Sequence, residues 1–280
     1  MTRVILIAIG STLLLAPEPL RISARSRSMQ PGELVVLSIA GPGPGEPVRV
    51  RAFNRDVAAY SAGDHEWRAL VGIDLDAKAD THVVTIDAGA PPRHATYNLV
   101  VKPRTFRTRR LTVDENFVTP PPSEEARIVR EARLLESVWA SPPGDRGWSG
   151  PFLRPVPQEA NSAFGTRSIF NGKPRNAHGG ADFLSPGGTP VQAPNAGRVR
   201  IARDLYFSGN TVVIDHGLGV FSLLAHLAAI DVQEGETIEA GRIIGKVGAT
   251  GRVTGAHLHW AVRAGGARVD PLSLLALLGS

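Results

Sequence analysis

Glycine and proline set the limits of this fold. The chain has 280 residues, of which 30 are glycine and 22 proline. Glycine weakens helices and proline breaks them, so punctuation this frequent favours short strands joined by turns over long helices. From Pro151 onward the punctuation becomes regular. Gly188-Thr-Pro-Val191-Gln-Ala193 and Gly235-Glu-Thr-Ile238-Glu-Ala240 both read Gly-x-x-aliphatic-Gln/Glu-Ala, followed by glycine and an aliphatic run. Two copies of a turn-plus-strand unit predict a compact, barrel-like sheet with internal pseudosymmetry over residues 151–280.

The first half divides differently. Within residues 25–112, the segments 33–39, 47–53, 71–75, 82–86 and 96–101 are strand-like and separated by turn residues such as Gly41-Pro-Gly-Pro-Gly45. Short strands at this spacing predict a β-sandwich-like domain, giving a mainly β chain overall. Residues 113–150 form a connector carrying one helix. Pro120-Pro-Pro122 breaks the chain, Ser123 suits an N-cap, and Glu124 and Glu125 favour the first turn. Ile128, Leu134, Leu135 and Val138 make an apolar helical face that could dock on either domain. Residues 1–24 read as a secretory signal: Arg3, an apolar run over 4–16, and a cleavage site at Ile22-Ser23-Ala24, with Ala16 as the alternative. That run is short for a bilayer span and no other stretch is long enough, so the mature chain is expected to be exported, periplasmic or extracellular, without a transmembrane span.

The absence of cysteine excludes disulfides, thiolate zinc sites, a cysteine nucleophile and a lipid-anchoring cysteine. The net charge is +5, and Lys102, Arg104, Arg107, Arg109 and Arg110 crowd one segment. No interleaved aromatic array accompanies them, so nucleic acid is not an expected partner. They read first as a solvated face and second as a contact for an anionic wall polymer.

The chemistry concentrates in His178-Gly-Gly-Ala-Asp182 and His257-Leu-His259, with His226 between them. Residues i and i+2 of a strand share a face, so His257 and His259 can enter one cavity while Leu258 joins the core. His178 and Asp182, at i and i+4, share a face in extended chain. Hydrolytic zinc takes three imidazole or carboxylate ligands and keeps one position open, which this set satisfies with histidines to spare. His65, His82 and His94 are scattered and read as surface or turn residues. His216 in Asp215-His-Gly217 reads as structural. Asn210 either lines the groove or serves its turn, and Arg167 pairs either with a substrate carboxylate or with an internal acid.

These motifs resemble a known family. Phe164-Gly-Thr-Arg167, His178-x-Gly180-x-Asp182-Phe, Gly209-Asn-Thr-Val-Val-Ile-Asp-His-Gly217, Ala225-His226-Leu and Gly248-Ala-Thr-Gly251 leading to His257-Leu-His259 are similar to the lysostaphin/LytM-type zinc metallopeptidases. The likeness runs over about 151–273. Pro31-Gly-Glu33 opens a region resembling the β domain that precedes the peptidase in some exported bacterial members. The resemblance implies a C-terminal antiparallel β peptidase domain with a central groove, one zinc ion held by His178, Asp182 and His259, and peptidoglycan peptide as substrate. It also implies that His226 and His257 face the reacting groups. The family has no His-Glu-x-x-His glutamate base and none is present here, so histidines carry the proton transfers. One departure is Leu224, where many relatives have tyrosine.

The leading expectation is therefore an exported endopeptidase, with a D-alanine–diaminopimelate crosslink favoured over a glycine bridge. Its chief rival is a non-catalytic or autoinhibited regulator that binds wall hydrolases or peptidoglycan, and a regulatory protein partner is a further candidate. Some relatives that have lost ligands act in that way, and the complete ligand set here favours the enzyme. The exported character argues against a phosphocarrier, and Lys246 is poorly placed for a lipoyl- or biotin-type carrier.

Overall fold

The computed structural model describes residues 19–112, 115, 118–160 and 164–279. Its first unit contains β1 (Arg21–Ser26), β2 (Leu34–Ala40), β3 (Val48–Ala52), β4 (Arg55–Val57), β5 (Ala59–Gly63), β6 (Glu66–Gly72), β7 (Thr81–Ala88) and β8 (Arg93–Val100). They form two four-stranded sheets, in the orders β1-β2-β6-β5 and β4-β3-β7-β8. Strand alternation builds the core between them. Val50 and Ala52 of β3 and Val84 and Ile86 of β7 share one cluster with Val35, Leu37 and Ile39 of β2. Arg49, Arg51 and Thr85 face out.

Two boundaries differ from expectation. Ala24, the expected end of the leader, lies inside β1, which pairs with β2 from Arg21↔Ala40 to Ser26↔Val35. Ile22 and Ala24 pack against the sandwich core, so cleavage after Ala24 would remove most of this strand. The alternative at Ala16 and the apolar run before it lie outside the described residues. The expected strand over 71–75 is instead the end of β6. Apolar alternation persists beyond Gly72 because Ile73 and Leu75 remain buried, but Asp74 leaves the sheet to receive hydrogen bonds from Arg268.

The second unit opens with β9 (Thr108–Leu111) and α1 (Glu125–Trp139), and continues through β10 (Arg167–Phe170), β11 (Lys173–Pro174), β12 (Gly180–Phe183), β13 (Pro190–Gln192), β14 (Gly197–Leu205), β15 (Gly209–Asp215), β16 (Val220–Ile230), β17 (Thr237–Ile238), β18 (Ile243–Val247), β19 (Leu258–Ala264), β20 (Ala267–Val269) and α2 (Pro271–Leu278). The main sheet runs β12-β19-β16-β15-β14-β17, with β18 also on β16 and β20 on β19. The repeated unit pairs crosswise. Its first copy, β13, joins β18, and its second, β17, joins β14. Val191 and Ile238, at equivalent positions, both enter the core.

Helix α1 packs on this second unit. Val138, with Leu134, Leu135 and Trp139, covers Ile201, Val213 and Phe221 on the outer face of β14, β15 and β16. Trp139 meets Phe221 edge-on at 5.4 Å between ring centroids. Ser123, expected as the N-cap, lies in a short 3₁₀ turn, and α1 starts without a side-chain cap bond. The connector also ends earlier than 150. Trp148 is buried in the main core beside Phe152, and the Gly147 amide donates to the His216 carbonyl at 2.8 Å.

The two units share a core. Leu34, Val36 and Leu70 of the sandwich join Ala264, Ala267, Val269 and Leu274 in one buried cluster. Beside it, Arg27 bridges Glu33 at 2.6 Å and Asp270 at 2.7 Å, and both acids are almost fully buried. Buried acids are tolerated when their charge is paired and hydrogen-bonded, as here, where Ser273 Oγ also donates to Glu33. The basic segment is only partly a solvated face. Arg104 bonds Glu33 and the Pro31 carbonyl, and Arg109 donates to Ser168 Oγ, leaving Lys102, Arg107 and Arg110 outward.

Candidate metal centre

Three strands converge on the site. β12 and β19 run antiparallel with Asp182 directly opposite His259, so the two side chains share a face. Phe183 and Leu258, on the opposite face, are fully buried. His178 arrives differently. It precedes β12 in irregular chain, where its amide donates to the Thr166 carbonyl at 3.0 Å and its carbonyl accepts from the Gly165 amide at 2.7 Å. The shared-face argument from extended i and i+4 spacing therefore does not apply to His178, because a loop delivers it.

These three side chains meet closely. His178 Nε2 is 3.1 Å from Asp182 Oδ1, His259 Nδ1 is 3.0 Å from the same oxygen, and the two ring nitrogens are 2.9 Å apart. Among the described residues they form the one group of histidine, cysteine and acidic ligands with metal-site spacing. Ligands of tetrahedral zinc, with bonds of about 2.1 Å, sit about 3.4 Å apart. Two imidazole nitrogens and a carboxylate oxygen lie this close together, a set that a cation satisfies. The residues fit zinc.

Electrostatics agree with that assignment. Burial opposes ionisation of Asp182, but hydrogen bonds and charge from His178 and His259 outweigh it and hold the carboxyl well below the usual carboxylate range. Burial pushes the His259 imidazole down, against the pull of its bond to Asp182, which favours the neutral form a metal requires.

His226 and His257 border the three-residue cluster. The His226 ring centroid lies 4.9 Å from that of His257 and 5.9 Å from that of His259. His257 Nε2 is 3.8 Å from Asp182 Oδ1. Both rings have a fixed tautomer, since a carbonyl oxygen can only accept. His226 Nδ1–H donates to the Thr250 carbonyl at 2.9 Å, and His257 Nδ1–H donates to the Gly255 carbonyl at 2.9 Å. Each neutral ring thus keeps its lone pair on Nε2. Burial, with the neighbouring His259, pushes His226 down to about 4, so it is neutral near pH 7.

A bulge aims His226. β15 and β16 pair Asn210↔Leu227 and then Val212↔Leu224, leaving Ala225 and His226 opposite Thr211 alone. His226 takes φ 65°, an uncommon value for a non-glycine residue, and its amide donates to the Ser208 carbonyl at 2.9 Å. Thr250 holds the bulge, receiving the Asn210 amide at 2.9 Å and donating to the Leu227 carbonyl at 2.8 Å. Sequence reasoning missed Thr250. It lies within Gly248-Ala-Thr-Gly251, but its two hydroxyl partners lie on other strands, so no local spacing marks it.

The remaining candidates separate clearly. His216 is fully buried between the Ala196 carbonyl and Ser222 Oγ, a structural position. Asn210 donates to the Leu227 carbonyl and serves the bulge. Arg167 is exposed and forms no ion pair among the described residues. Leu224 faces the core.

Residues 176–271 match Peptidase family M23. The chain is 43% identical over 97 residues to the DD-carboxypeptidase/endopeptidase Mpg of Neisseria meningitidis, covering 35% of this chain and 22% of that protein. It is 41% identical over 95 residues to the peptidoglycan DD-endopeptidase ShyA of Vibrio cholerae, covering 34% and 22%. This chain thus spans about a fifth of the length of these curated relatives. A crystal structure from Pseudomonas aeruginosa, described as a peptidase M23, matches much more of it. That structure has TM-score 0.72 and 30% identity, over 89% of this chain and 96% of the other. At that identity, and with 96% of that structure covered, the chain belongs to peptidase family M23.

Proposed function

We propose that this protein is an exported zinc metallo-endopeptidase that hydrolyses peptide bonds in bacterial peptidoglycan, with the D-alanine–diaminopimelate crosslink as its favoured bond. The observation that carries the reading is the pairing of a three-donor cluster with two histidines whose free Nε2 atoms border it. His178, Asp182 and His259 would hold the metal. Bound there, zinc supplies a Lewis acid for the scissile carbonyl and lowers the pKa of a water to about 7. The rest falls to the protein. Nε2 of His226 or His257 takes a proton from the attacking water, and the resulting imidazolium returns it to the departing amine as the C–N bond breaks. Asp182 stays anionic throughout, so it does not compete for that proton.

The peptidoglycan assignment draws support from the relatives whose names give DD-endopeptidase activity, and the export assignment from the basic, apolar start of the sequence. Incubating the full chain with isolated crosslinked sacculi, with zinc and then with chelator, tests the reading by mass spectrometry of the released fragments. Chelator-sensitive loss of D-alanine–diaminopimelate crosslinks is expected. Zinc-loaded protein that releases nothing would contradict it.

A further inference from the structure

The loop that delivers His178 is not supported by the peptidase unit alone. The Gly165 amide, which donates to the His178 carbonyl, lies under Phe106, a residue between β8 and β9. The Phe106 ring covers Gly165 so closely that a Cβ there would come within 2.1 Å of it. Gly165 has φ 76°, so glycine is required both by the ring and by the backbone. Phe106 also meets Phe164 edge-on, with centroids 6.3 Å apart. Phe164 in turn lies over Gly32, where a Cβ would approach it to 2.2 Å.

Arg104 fixes Phe106 from the other side. Its guanidinium stacks over the ring at 4.8 Å and bonds both the Pro31 carbonyl and the buried Glu33 carboxylate. Beyond Phe106 the chain becomes β9, which runs parallel to β10 in the register Thr108↔Arg167 to Leu111↔Phe170. The Arg107 carbonyl receives the Arg167 amide, and Arg109 Nε donates to buried Ser168. A continuous path of contacts therefore leads from Glu33 through Arg104, Phe106 and Gly165 to the backbone of His178. Its first four members lie outside the segment that matches the peptidase family.

We propose that Phe106 is a positioning residue for the metal ligand His178, so that the strap from the sandwich forms part of the metal site. This rests on the zinc reading above. Metal ligands are held by surrounding contacts, whose removal typically weakens metal binding tenfold or more. A loop free to sample other positions must be ordered when the metal binds, and that ordering subtracts from affinity.

Two readouts on the metal-free and zinc-titrated full chain test it. In Phe106→Ala, hydrogen exchange should accelerate at the Gly165 and His178 amides, while the Val213 and Ile214 amides in the central sheet keep wild-type protection. Zinc affinity, measured by competition with a chromophoric chelator, should fall about tenfold. Phe106→Leu, which keeps apolar bulk over Gly165, should restore most of both. Wild-type protection at Gly165 and His178 in Phe106→Ala would overturn the proposal. So would unchanged zinc affinity, or accelerated exchange spread equally over the central sheet. A wild-type chain that fails to bind zinc would overturn the metallopeptidase reading itself, and the exchange pattern would still decide the strap.

Discussion

Each of the five site residues holds a distinct station, and substitutions should separate them. Asp182→Ala removes the anion at the centre of the cluster, so metal analysis should find zinc lost. His257→Ala leaves all three donors, so zinc should stay while kcat falls about 10²- to 10⁴-fold, the usual contribution of a proton-transfer group. Equal zinc loss in the two variants would contradict the division of roles. His178, Asp182, His257 and His259 were legible in the sequence because their chemistry is written in short local motifs. The aim of His226 was not, because it depends on a bulge whose partners come from separate strands. His216 offers a pH test outside the site. Burial lowers it from 6.5 to about 4, so the unfolded chain binds this proton more readily than the folded one. Its contribution to stability is complete above pH 6.5 and is lost as pH falls towards 4, amounting to about 3 kcal/mol. Denaturant unfolding across that range should show a shallower fall for His216→Gln than for the native chain; parallel curves would contradict it.

At the scale of elements, the bulge in β16 and the turn before β19 work as one device. Thr250 ties Asn210 of β15 to Leu227 of β16, and its carbonyl fixes the His226 tautomer. Thr250→Val keeps the shape and removes both hydroxyl bonds. Thermal unfolding should show a cost of about 1–3 kcal/mol, since the Asn210 amide loses its acceptor. Zinc content should persist while kcat falls, and a variant with normal kcat would show that the bulge holds His226 without this bond. In the first unit β2, β3, β7 and β8 were legible from period-two alternation and from turns rich in glycine and proline, and in the second unit β13 and β17 were legible from the repeat. Two that escaped had specific causes. β1 was hidden because Ile22-Ser23-Ala24 reads as a cleavage site after an apolar run, and β9 by its basic composition, of which, among the described residues, only Arg109 makes an internal bond, to Ser168. The docking of α1 was undecidable from its own apolar face, because that face names no partner.

For the whole molecule, the boundary between the units is a packed core rather than a hinge. Leu34 of β2 is fully buried among residues of β19, β20 and α2, and its amide donates to Ser273 Oγ at 3.0 Å. Leu34→Ala should cost about 2–5 kcal/mol. It should also lower the unfolding temperature of both units together, in one calorimetric transition; two resolved transitions in the native chain would refute the shared core. This coupling could not be read in the sequence, where Leu34 looks like any other inward residue of a sandwich strand. No helix among the described residues is long and apolar enough to cross a membrane. The central claim concerns where the metal sits and which histidines remain free beside it. A crystal of the zinc-loaded full chain, measured on both sides of the zinc absorption edge, tests it most directly. One anomalous peak is predicted, within bonding distance of His178 Nε2, Asp182 and His259 Nδ1, with His226 and His257 Nε2 facing it unbonded to metal. A peak ligated by His226 or His257, or none at the cluster, would contradict it.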